Sequence, residues 1–168
     1  MSISMYSASV PVFVRMLNNL AVVLEKGAAH AEAKKIDHAV LLGCRLYPDM
    51  FPLSRQVQIA SDSAKGGAAR LAGADIPVFE DNEKSIAELV TRCRKTVTFL
   101  ETLKPAQIDG SEDKTITLEM RTGPVSFKGQ SYLLNNVHPN FYFHCTTAYD
   151  ILRHSGVELG KRDYLGKP

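Results

Sequence analysis

No run of about 18 consecutive apolar residues occurs in the sequence, so no segment offers a helical membrane span. Nothing near the N-terminus pairs a basic region with an apolar run and a small-residue cleavage site, which predicts a cytoplasmic protein. Tryptophan is absent, and cysteine is scarce: Cys44, Cys93 and Cys145 stand far apart with no CxxC pair. That excludes a disulfide scaffold and a cysteine-based zinc or redox motif. An excess of one charge is missing too, since 20 basic residues against 18 acidic ones leave +2. Without a basic helix, this balance excludes nucleic acid as the expected partner. Repeats and low-complexity tracts are also lacking, and 168 residues suit one domain with a sizeable core.

What the sequence does have is helical periodicity. Val10, Phe13, Leu17, Leu20, Ala21 and Leu24 recur at three- and four-residue steps, predicting a helix from about Ile3 to Lys34. Pro11 marks either its first turn or a kink. A second long helix starts near Leu53, after Pro52, carries an alanine-rich stripe and stops at Gly73. A third bears Ile86, Leu89, Val90, Cys93, Val97 and Leu100, with Asp81 as the expected N-cap and Pro105 beyond its end. The stretch KTITLEMRTGPVSFKG then changes to a period near two, predicting a hairpin that turns at Gly123-Pro124. Helical character returns from Gln130 to Ser155, kinked at Pro139, with Gly156 as a left-handed cap. The expected fold is therefore all-α: a four-helix bundle with a short β-hairpin inserted before the last helix.

The last helix carries the chemistry, in HPNFYFHCTTAYDILRHSG. Positions six or ten apart diverge by roughly 120° or 80° on a helix, so His138, His144 and His154 do not share one metal. Asn140, His144 and Thr147 instead form a polar strip among apolar residues. That strip lines a pocket or contains a hydrogen-bonded core histidine. Adjacent helical residues point about 100° apart, which rules Cys145 out as a nucleophile served by His144. Tyr6, Tyr47, Tyr142 and Tyr149 add apolar surface with polar tips, suited to a small organic ligand or to ordinary bundle filling.

The stretch NFYFHCTTAYDILRHSGV resembles the last helix of the DinB-like, or YfiT-like, metalloenzyme superfamily, where HxxxHRGQ is followed by LR and a glycine-hydrophobic ending. His144 falls on the second histidine of that motif, Thr147 on its glutamine, Leu152-Arg153 on LR, and Asn140 on the first histidine. Counting back from Gly73 places Gln58 nearest the metal histidine of helix two, with Asp62, one turn on, as the other candidate. MYSASVPVF, YPDMFPLSRQVQIASD and QIDGSE resemble a bacterial branch described only as a domain of unknown function. The resemblance implies a homodimer and, at most, a nickel or zinc ion held by His144 with Asn140 and Gln58. Amides are poor donors to such ions, so the expectation is no firmly held metal.

Three functions stay open at this point. The first is a small-molecule-binding bundle with a polar pocket lined by Gln58, Asp62, Asn140, His144 and Thr147. The second is an enzyme related to the superfamily's thiol transferases, metal-dependent or using His144 as a general base. The third is a non-catalytic dimeric interaction protein. No membrane partner is expected.

Overall fold

Pro11 lies in the first turn of the first helix, where its missing N–H costs nothing, and this sets the start of the fold. In the computed structural model, which describes residues 3–167, helix α1 is Val10–Lys34. It begins later than the apolar spacing suggests, because residues 5–9 form a separate turn. After the short α2 (His38–Gly43), α3 spans Leu53–Ala72 and ends at Gly73, whose φ of 69° makes the left-handed cap.

Helix α4 (Ile86–Thr102) is capped by Ser85, not by Asp81. The Ser85 hydroxyl accepts from the Glu88 amide at 3.2 Å, while the Glu88 carboxylate accepts from the Lys84 amide at 2.7 Å. This arrangement satisfies one free donor of the first turn and the amide just before the cap, and leaves Asp81 to ion pairing. A single turn, α5 (Pro105–Ile108), leads to the hairpin of β1 (Thr115–Met120) and β2 (Gly123–Lys128). Met120 pairs with Gly123, so the loop is Arg121-Thr122 and not Gly123-Pro124. Pro124 lies within the strand opposite Glu119, tolerated because a two-stranded sheet has only edges.

The last long helix is built in three consecutive pieces: α6 (Gly129–Tyr132), a π-helical turn at Leu133–Val137, and α7 (His138–His154). Pro139 occupies the first turn of α7, directly after the widened π turn. The distortion expected around a helical proline therefore lies just before it. Gly156, at φ 91°, reverses the chain, which runs to α8 (Lys161–Leu165).

The four long helices close a ring: α1 packs along α4, α3 along α7, and the α3–α4 and α1–α7 pairs complete it. Phe13 meets Phe141 edge-on at 5.0 Å and Gly27 meets Leu152, so α1 and α7 run in the same direction. Gln56 meets His144 and Gly67 meets Val137, so α3 runs opposite to α7. Leu17, Leu24, Leu53, Leu71, Leu89, Leu100 and Ile151 fill the middle, each contributing about 1.5–3 kcal/mol by leaving water. Gly67 is required by close approach: a Cβ there would stand 2.5 Å from a methyl of Val137. Among the described residues no helix is long and apolar enough to cross a membrane.

Candidate functional site

His144 is buried between α7 and α3, and its partner is Gln56. The ring Nδ1 and the amide Oε1 are 2.6 Å apart, and the Gln56 Nε2 donates to the Phe51 carbonyl at 3.0 Å. With Oε1 accepting, the ring donates from Nδ1. Burial, and then the charge of Arg55, push His144 below the ordinary histidine range, so the neutral ring is the favoured form. Phe143 stands edge-on to the same ring at 5.2 Å. Thr147, also buried, donates to the Phe143 carbonyl one turn back at 2.8 Å.

Gln58 is buried on a different face of α3 and meets the loop before α4. It donates to Glu83 at 2.8 Å and accepts from Arg55 at 3.2 Å. Residues two apart on a helix point about 200° apart, so only one of the two glutamines can reach α7. The face of Gln58 holds a dense ionic cluster. Arg92 of α4, 3% exposed, pairs with Glu83 at 2.8 Å and with Asp62 and Asp81 at 2.9 Å each. It also bonds the Glu80 carbonyl and the Ser61 hydroxyl, while Arg55 pairs with Asp81. Burial alone would raise the Glu83 carboxyl, but hydrogen bonds from Arg92 and Gln58 hold it below the usual carboxylate range. Sequence periodicity missed this cluster. Its one visible signal is an arginine inside the apolar stripe of α4, three residues after Leu89 and four before Thr96.

Asp62 and Asn140 lie on one groove of about 320 Å³ between α3, α7 and the hairpin, together with Ser63, Arg70, Tyr132 and Asn136. Asn140 is exposed and donates to the Asn136 carbonyl at 2.7 Å, while Asp62 also takes Lys65 at 2.8 Å. The five expected lining residues are thus dispersed. His144 and Thr147 are in the α3–α7 core, Gln58 is in the ionic cluster, Asn140 is at the groove, and Asp62 belongs to both the cluster and the groove. The tyrosines scatter as well: Tyr47 is 66% exposed, Tyr142 stacks on His138 and Tyr149 packs on Tyr164.

His138 stays at the proline, its Nε2 2.8 Å from the Ala8 carbonyl, and His154 is exposed at the end of α7. A three-ligand divalent site needs converging imidazole, thiolate or carboxylate donors. Among the described residues no three His, Cys, Asp or Glu side chains converge in that way. Around His144 the nearest donor is an amide already committed to the ring, so these residues do not fit the superfamily's metal. Cys93 and Cys145 are buried; burial pushes the Cys93 thiol up to about 12 and raises Cys145 as well, so neither is a poised thiolate.

The architecture is that of a known class. A crystal structure of a DinB family member from Shewanella denitrificans is similar with a TM-score of 0.89 and 43% sequence identity, covering 97% of this chain and 92% of that one. The class is a DinB-like helical bundle. A family model described as Domain of unknown function (DUF1993) matches residues 5–165, and the chain belongs to that family. No curated protein matches.

Proposed function

We propose that this chain binds a small polar organic molecule in the groove between α3, α7 and the hairpin, and that it does so without a catalytic metal. The observation that carries the reading is the meeting of Asp62, Asn140, Arg70 and Tyr132 around one concavity. A few convergent polar groups beside apolar wall, in a volume of about 300 Å³ or more, are what small-ligand sites share. His144 then serves the groove indirectly. Its bond to Gln56 ties α7 to α3, one turn beyond Asn140.

The metal-dependent form of the thiol-transferase reading needs metal-activated sulfur, and the donors around His144 do not supply the metal's ligands. The two readings separate by metal analysis and ligand screening on the untagged protein. After incubation with nickel or zinc and dialysis, the expected content is well below one ion per chain. A screen of small polar compounds by amide chemical shifts should perturb Asn136, Asn140 and Leu118. Stoichiometric metal ligated by His144 would overturn the proposal, as would a screen whose perturbations all lie away from the groove.

A further inference from the structure

Arg92, Lys65, Arg55, Lys26 and Arg94 all have carboxylate partners. Half-buried Arg70 takes part in no ion pair among the described residues. Its Nη1 donates to the phenol of Tyr132 at 3.1 Å, and Tyr132 is itself 2% exposed. Burying part of a guanidinium with a single neutral acceptor leaves most of its five donors without a protein partner.

The placement depends on a missing side chain. The Arg70 guanidinium lies back along α3 over Gly66, so close that a Cβ at Gly66 would be 2.7 Å from Nη1. From there it borders the groove, whose other groups cannot neutralise it equally well. Asp62 is already paired with Arg92 and Lys65, and Glu119 is exposed on the hairpin at the rim. Leu118 and Val137 supply apolar wall beside the cation.

We propose that the groove takes a small organic carboxylate, with Arg70 pairing its charge, Tyr132 holding the guanidinium in place, and Leu118 and Val137 covering its hydrocarbon part. The planar fork of arginine matches a carboxylate with two parallel hydrogen bonds, which an uncharged ligand cannot replace. This inference rests on the reading of the groove as a binding site, and deepens it by naming the ligand's chemistry.

The test titrates the isotope-labelled full chain with matched acid and amide pairs, 4-methylpentanoate with 4-methylpentanamide and benzoate with benzamide. Each acid should shift Leu118, Asn136 and Asn140 saturably, and each amide should bind about tenfold more weakly or worse. Arg70→Met should abolish the preference. Gly66→Ala should weaken acid binding by displacing the guanidinium, yet leave the melting temperature level or higher, because alanine is the better helix former. Equal binding of acids and amides in the groove overturns the carboxylate inference and leaves the groove reading standing. Shifts confined to other surfaces, or none with either compound, overturn both.

Discussion

Helix α3 presents two polar faces that solve the same problem differently. Towards α7, one neutral imidazole meets one neutral amide, and each costs far less to remove from water than an ion, a cost their bond offsets. Towards α4, a buried guanidinium gathers carboxylates from α3 and from the preceding loop. Neutral pairs are indifferent to salt and lose one hydrogen bond when broken. Buried charges leave a stranded ion when one partner goes, so the ionic face is the more brittle of the two. It also gives the loop before α4 its position, since the Arg92 contacts to Glu80, Asp81 and Glu83 tie that segment to the bundle.

The sharpest way to break this contrast is Arg92→Met, which leaves Glu83 buried without its cation. The expected cost in a urea denaturation series is about 3 kcal/mol, the lower end for a broken buried pair, because water screens Asp62 and Asp81. A loss no larger than that of His144→Ala would put the two faces on equal terms.

On the other face, His144→Ala should cost about 1–3 kcal/mol, the range for a lost buried hydrogen-bond partner with a small void. The double variant Gln56→Leu with His144→Leu should lose less than the sum of its single changes, since neither group is then left unpaired. Strict additivity would mean that the 2.6 Å contact is not an energetic unit.

The smallest effect separates the faces by pH. His144 has its folded pKa depressed below the ordinary value near 6.5, so the unfolded chain binds the proton first. Its contribution is full above about 6.5 and is lost as pH falls towards the folded value, by no more than about 1.4 kcal/mol one unit below the ordinary value. Glu83 is depressed below a value near 4.5, so the ionic face should weaken only in more acid solution. Unfolding free energies measured from about pH 7 down to 3.5 should show two separate declines. His144→Ala should reduce the upper one, leaving the part owed to His138, whose ring is also held below the ordinary histidine range by burial, and Arg92→Met should reduce the lower.

The bundle itself was legible because its signals are local. Pro52 and Gly73 bound α3, Gly156 ends the last helix, and apolar spacing marks all four long helices. The site was less so. Gln56 and Gln58 flank the same stripe of Leu53, Val57 and Ala60, and nothing local to α3 says which of them faces α7. Only the packing of α3 on α7 chooses Gln56. The ionic cluster offered only Arg92 as a signal for a related reason: two of its carboxylates come from a loop with no period, and they converge with Asp62 on Arg92 only when α3 and α4 are side by side. Asp81 shows the confusion in miniature, since an aspartate before a helix reads as a cap whether or not it is needed elsewhere.

The π turn at Leu133–Val137 acts as a phase shifter in the chain. A π turn holds one residue more than the regular helix would over the same advance, and everything after it is rotated by about 100°. Tyr132 before it addresses Arg70, and His144 after it addresses Gln56, so two contacts with α3 are brought into register by one surplus residue. Rewinding the turn as regular helix with every residue kept would carry the imidazole about 100° round the axis, away from its amide, whereas deleting one residue there would even the winding and leave both contacts in register.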